Sequence, residues 1–202
     1  MFELAKLILI RHGQSVWNAE NRFTGWTDVD LSDKGVVEAE EAGNELSNQV
    51  IDVVHTSDLI RAKRTADIVM QKNVCSDDAV TKSDWRLNER NYGALQGLNK
   101  AETAEEHGAE QVQIWRRSFD VAPPEGESLK MTAERTIPYF EEEILPDLES
   151  GANVLVSAHG NSLRSIVMHI EGITPEDIVS FEIQTGVPRH YDFSDGEISL
   201  VG

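Results

Sequence analysis

The sequence predicts an α/β fold: a single-domain, three-layer α/β/α sandwich with a mainly parallel central sheet. Three observations predict it. Short apolar runs at Leu7–Ile10, Ile51–His55 and Asn153–Ser157 read as strands, and amphipathic helical segments separate them. Alternating strands and helices imply a mainly parallel sheet covered on both faces. No internal repeat, low-complexity stretch or long linker divides the 202 residues, so one domain over 1–202 is expected.

The elements follow in order. Met1–Lys6 lacks a basic region and a small-residue cleavage site, and reads as the lead-in to a strand rather than a signal peptide. Leu7-Ile8-Leu9-Ile10 is that strand. Ser32 caps a helix to about Asn48, with Val36, Val37, Ala39, Ala42, Gly43 and Leu46 on its inner face. After the strand 51–55, Thr56-Ser57 starts a helix through Ile60, Ala62, Ala66, Ile68 and Val69. A short strand at 80–83 leads into a loop over 88–93. Residues 99–119 read as helical with a break at Gly108, and Pro123-Pro124-Glu125-Gly126 precedes a long helix from Ser128 to Leu148 with an irregularity at Pro138. The strand 153–157 is followed by a helix through Leu163, Ile166, Val167 and Ile170. Two last strands are expected at 181–185 and 189–193.

Composition narrows the function. No stretch approaches the roughly 20 apolar residues of a membrane span. Cys75 is the only cysteine, which rules out an intramolecular disulfide and points to a reducing cytoplasm. A net charge of −18 argues against nucleic acid and anionic membranes as partners. The 18 basic residues concentrate where the motifs lie: Arg11, Arg22, Arg61, Arg90, Lys100, Arg116 and Arg117. If they converge, the protein is an acidic body with one cationic pocket.

Two strands end alike, in Leu9-Ile10-Arg11-His12-Gly13 and Val156-Ser157-Ala158-His159-Gly160. Neighbouring parallel strands would bring both imidazoles to one sheet edge, the edge where α/β folds bind ligands. The helix opening at Asn161-Ser162 offers amide N–H groups to a phosphate. A neutral imidazole accepts a phosphoryl group without charge repulsion, and arginines such as Arg11 and Arg61 grip its oxygens. Taken alone, Arg61 reads better as a surface partner of Asp58, whereas a solvated pair facing Glu110 is the lesser reading of Arg116-Arg117. His55, His107, His169 and His190 have no comparable setting and read as structural or solvated. Walker-type, dinucleotide-binding and serine-elbow motifs are absent, and carboxylates at metal-ligand spacing are missing, so no metal is expected.

Leu9-Ile10-Arg11-His12-Gly13 resembles the signature of the histidine phosphatase superfamily. The run Arg11–Asn18, continued by Asn21–Trp26, is similar to the cofactor-dependent phosphoglycerate mutases, as are Leu87–Lys100, Trp115-Arg116-Arg117, Pro123-Pro124, Ala158–Ser162 and Thr185–Pro188. The resemblance covers residues 6–193. It implies reversible interconversion of 2-phosphoglycerate and 3-phosphoglycerate, primed by 2,3-bisphosphoglycerate and without a metal. His12 would be the phosphorylated nucleophile, with Arg11, Asn18, Arg61 and His159 around the transferring group and Glu89 as general acid and base. Arg90, Lys100, Arg116 and Arg117 would hold the substrate carboxylate and the non-reacting phosphate, while Thr24, Gly25, Tyr92, Gly160 and Asn161 complete the pocket.

A mutase must keep a bisphosphorylated species while it turns round, which requires a second anionic site; Arg90, Lys100, Arg116 and Arg117 supply the charge for one. Three departures from the pattern stand out. The chain between Pro123-Pro124 and Glu127-Ser128 is shorter than in the longer mutases, it ends at Gly202 without their extended tail, and Asn91 stands where they often carry histidine. Loss of covering segments is expected to admit water and favour side phosphatase activity. A small-ester phosphatase and an inactive phospho-ligand sensor are the competing readings. The sequence does not choose between monomer and homodimer.

Overall fold

A computed structural model describes residues 4–201. Its six strands are β1 (Ala5–Arg11), β2 (Val53–Thr56), β3 (Val80–Ser83), β4 (Val154–Ala158), β5 (Arg189–Ser194) and β6 (Glu197–Leu200). They lie in the order β3-β2-β4-β1-β5-β6. β3, β2, β4 and β1 run parallel, while β5 and β6 add antiparallel strands beside β1. The strand expected at 181–185 does not form. Only Thr185 bridges to Arg11, and the last strand is instead β6. Of the lead-in expected at Met1–Lys6, residues 1–3 lie outside the described residues.

The helices are α1 (Val16–Ala19), α2 (Asp33–Glu45), α3 (Ile60–Lys72), α4 (Lys100–His107), α5 (Ala109–Arg117), α6 (Leu129–Tyr139), α7 (Leu145–Glu149) and α8 (Gly160–Glu171). Side chains alternate across the sheet, so successive apolar residues of one strand feed two cores. Leu7, Leu9, Val154 and Val156 pack with Tyr139, Phe140, Leu163 and Ile166 on the α6/α8 face. Ile8, Ile10 and Leu155 pack with Ala42, Leu46, Ala66 and Val69 on the α2/α3 face. Each fully buried Leu or Ile contributes about 1.5–3 kcal/mol. With both faces covered, the sheet can present ligand groups only at its ends.

Several local expectations shift. Ser32 caps α2 through its bond from the Gly35 amide, but Val37 faces solvent rather than the core. α3 begins at Ile60, not at Thr56-Ser57: Thr56 completes β2, and the Ser57 hydroxyl accepts from the Leu59 amide. Its first amide is capped from a distant loop, where Asp28 Oδ1 accepts from Ile60 N at 2.7 Å. Ile60 itself is exposed. The long helix after Ser128 is three pieces, with a π turn over Phe140–Ile144 between Pro138 and Pro146, neither of which has an N–H to give.

Candidate active site

β1 and β4 are paired in register up to Arg11 opposite Ala158, and the His12 amide donates to the Ala158 carbonyl at 3.0 Å. The next residues along, His12 and His159, therefore meet at the C-terminal end of the parallel strands. Their ring centroids are 4.9 Å apart, with the rings steeply inclined at 64°. Gly13 follows because the chain passes directly against α2: a Cβ there would stand 2.1 Å from the Gly35 carbonyl oxygen.

One hydrogen bond sets the tautomer of the His12 ring. Nδ1 lies 2.6 Å from the Gly13 carbonyl, an atom that can only accept, so Nδ1 carries the proton and Nε2 keeps its lone pair. Burial, reinforced by the charges of Arg61 and Arg11, holds the His12 pKa well below its ordinary value. His159 is lowered likewise, first by burial and then by Arg61 and His12. Both rings are neutral at pH 7. His159 Nε2 is 2.7 Å from Ser57 Oγ, while its Nδ1 is buried and has no protein partner. The Ser57 hydroxyl, which can donate or accept, thus fixes the orientation of the His159 ring from the side opposite Nδ1.

Arg61 is buried (1% exposed), which excludes the pairing with Asp58; that carboxylate pairs with Lys63 instead. Its guanidinium donates to the carbonyls of Thr27 and Gly25 at 3.0 and 2.7 Å, and burial lowers its pKa to about 10, still charged at neutral pH. Arg11 donates from Nη1 to Ile183 O at 2.9 Å and keeps a buried, unpartnered Nε. Its guanidinium carbon lies 3.5 Å from where a Cβ on Gly160 would sit.

Glu89 is held asymmetrically. Oε1 accepts from the Arg90 amide at 2.8 Å, the Asn161 amide at 3.1 Å and Asn161 Nδ2 at 3.0 Å. All these bonds fall on one oxygen, leaving Oε2 for other work. The Asn161 amide, expected to face a phosphate, is thus committed to Glu89. Asn161 is in turn oriented by Arg164, whose Nη1 donates to Asn161 Oδ1 at 3.0 Å while Nη2 donates to Ile178 O. Burial, with Arg117 and Arg90 nearby, lowers the Arg164 pKa to about 10.

Arg11, Glu89, Asn161 and Arg164 border a cavity of about 280 Å³, at the small end for small-molecule sites. Of the residues singled out from the sequence, Arg11, Asn18, Thr24, Gly25, Glu89, Tyr92, Lys100, Arg116, Arg117, Gly160 and Asn161 line it. His12, Arg61, His159 and Arg90 are almost wholly buried beside that lining. Six cations line the cavity — Arg11, Arg22, Lys100, Arg116, Arg117 and Arg164 — against two carboxylates, Glu89 and Glu182. The acidic chain does carry a cationic pocket. Arg90 stacks on Tyr92 and donates to the Arg116 carbonyl, yet its Nε and Nη1 have no protein partner. Burial and the charges of Arg116 and Arg11 lower the pKa of Lys100.

Sequence reasoning missed Ser57, Arg164 and Glu182. Ser57 was spent on a helix start. Arg164 sits one turn into α8, three residues past Asn161, a spacing that places both on one face and could have flagged it. Glu182 lies in the segment expected as a strand, and nothing local marked it. His55 lies away from this site, between Tyr139 Oη and Asp147, as a structural residue.

The family model of the histidine phosphatase superfamily (branch 1) matches residues 7–202. The chain belongs to that superfamily. Among histidine phosphatases it is 49% identical to the 2,3-bisphosphoglycerate-dependent phosphoglycerate mutase of Protochlamydia amoebophila, over 96% of this chain and 97% of the relative. It is 50% identical to the enzyme of the same name from Cytophaga hutchinsonii, over 93% and 87%. The first alignment spans 220 positions, more than this chain has residues, so that relative carries segments this chain lacks. The second spans 188 positions at 93% of the chain, so within the aligned region that relative has no large insertion against this chain. Solved structures share the fold: YhfR of Bacillus stearothermophilus, at TM-score 0.84 and 24% identity, is matched over 97% of this chain and 95% of that one. A mycobacterial glucosyl-3-phosphoglycerate phosphatase complexed with VO3, at TM-score 0.82 and 25% identity, covers 96% and 95%.

Proposed function

We propose that this chain, as one domain over residues 1–202, is a cytoplasmic phosphoglycerate mutase. It interconverts 2-phosphoglycerate and 3-phosphoglycerate through a phosphohistidine at His12, primed by 2,3-bisphosphoglycerate. The observation that carries the reading is a neutral, lone-pair-bearing His12 Nε2 beside a pocket with more cationic groups than one phosphate needs.

Substrate phosphorus would be attacked in line by Nε2. The bond to the substrate oxygen breaks as the N–P bond forms, and the three non-bridging oxygens keep their charge. Arg11, Arg61 and Asn18 would bind those oxygens, and the His159 ring would donate to them, each interaction strengthening as charge shifts in the transition state. Glu89 Oε2 would give a proton to the departing hydroxyl and take it back from the other hydroxyl in the return transfer.

Arg90, Lys100, Arg116 and Arg117 would hold the far anionic groups, with Thr24, Gly25, Tyr92, Gly160 and Asn161 shaping the walls. The unpartnered nitrogens of Arg11, Arg90 and Arg164 fit a ligand rich in anionic oxygens, which suits 2,3-bisphosphoglycerate. That compound supplies the phosphoryl group that first charges the enzyme.

The test is an assay of purified protein with 3-phosphoglycerate, with and without trace 2,3-bisphosphoglycerate. The expected result is 2-phosphoglycerate formation that depends on the trace cofactor. Phosphate release as the main outcome would replace the mutase reading with a phosphatase one.

A further inference from the structure

The cavity contains a carboxylate that the proposed chemistry does not use. Glu182, between the end of α8 and β5, reaches into the lining and pairs with Arg117 Nη2 through Oε1. Glu182 is 65% exposed and Arg117 is 25% exposed. A fixed anion in a pocket built for a multiply charged anion opposes ligand binding. The hydrogen bond and charge of Arg117, aided by Arg11 and Arg164, keep Glu182 below the usual carboxylate range, so it stays ionised across the working pH. Glu89, the other carboxylate, has its Oε1 tied by three N–H groups. Glu182 instead has a single partner, and most of its side chain is in water.

We infer that Glu182 is an internal competitor for Arg117, a carboxylate that occupies this arginine in the free enzyme and yields it to an anionic group of the substrate. The inference rests on the mutase reading for the identity of that substrate. Exchange of one anion for another keeps Arg117 paired at every stage. Because Glu182 is already largely hydrated, swinging it into solvent costs little desolvation, whereas Arg117 is never left bare. The consequence is weaker ground-state binding of substrate and product alike, which raises KM and hastens release of product without altering the phosphoryl transfer itself.

The test compares wild type, Glu182→Gln, Glu182→Ala and a control, Glu197→Gln, on the exposed strand β6. Binding of 3-phosphoglycerate is measured by titration calorimetry without 2,3-bisphosphoglycerate, and turnover is measured separately with it. Both Glu182 variants should bind 3-phosphoglycerate about two- to fivefold more tightly, the range expected for loss of one partly exposed ion pair. KM should fall in parallel, and the difference should shrink in about 1 M salt, where charges are screened within about 3 Å. Glu197→Gln should change neither. Unchanged or weaker binding in the Glu182 variants would overturn the inference and make Glu182 a support that holds Arg117 in place. Tighter binding in a protein whose wild type lacks mutase turnover would keep the competitor and remove the mutase reading.

Discussion

Replacing Glu89 with glutamine isolates proton transfer from everything else this residue does. Oε1 takes N–H bonds at 2.8, 3.1 and 3.0 Å, from the Arg90 amide, the Asn161 amide and Asn161 Nδ2. An amide nitrogen in that position would face three donors, so the glutamine carbonyl oxygen must take it. The NH2 group then falls where Oε2 was, and the local structure stands. What disappears is the ability to release and recover a proton. General acid–base groups contribute about 10²–10⁴ in rate, or roughly 3–5 kcal/mol of barrier. Because Glu89→Gln also removes a negative charge from the pocket, KM for 3-phosphoglycerate should stay level or fall. The assay is steady-state conversion of 3-phosphoglycerate at saturating 2,3-bisphosphoglycerate, with circular dichroism to verify the fold. A kcat within about threefold of wild type would refute the reasoning, because an amide cannot carry the proton that the transfer requires.

Other consequences follow from the same geometry. His12 and His159 are neutral because burial and arginine charge lower both pKa values, so kcat/KM should stay flat as pH falls from 8 through 6.5 and drop only below that; a half-maximum at 6.5 would contradict it. The same shifts, with that of His55, act on stability. Below about pH 6.5 the unfolded chain binds protons on these histidines that the folded chain does not, so stability should be fully present above that pH and decline as pH falls towards the folded-state values, as read from urea midpoints. Ser57→Ala removes the 2.7 Å partner of His159 Nε2 and frees the ring orientation, and should lower kcat about tenfold with little change in KM; an unchanged kcat would separate Ser57 from the site. Gly13→Ala would drive a Cβ to 2.1 Å from the Gly35 carbonyl, a backbone atom with little room to retreat. It should cost about 1–3 kcal/mol or more, seen as a lowered Tm, and an unchanged Tm would show that α2 can move.

The large features of the fold were legible because they are written in local pattern. Leu7–Ile10 and Val154–Val156 are apolar on both faces, and the His-Gly pair that ends each strand puts His12 and His159 at one edge. The misses are tertiary. α3 starts four residues after β2 ends because Ser57 serves His159 and because the helix is capped by Asp28, some thirty residues upstream. Residues 181–185 alternate as a strand would, but the Arg11 side chain takes the Ile183 carbonyl, and Thr185 forms only a bridge. The Glu89 arrangement was legible as a residue type in a motif; its single loaded oxygen, and the Arg164–Asn161 brace behind it, depend on α8 approaching the 88–90 loop. The Arg117–Glu182 pair joins segments 65 residues apart, beyond the reach of any local pattern.

The claim on which the account stands is that His12 Nε2 forms a bond to phosphorus. Wild-type protein mixed with 2,3-bisphosphoglycerate carrying labelled phosphoryl groups should retain acid-labile, base-stable label, located by mass spectrometry on His12, and His12→Ala should retain none. Label on another residue, or wild-type turnover surviving in His12→Ala, would contradict it.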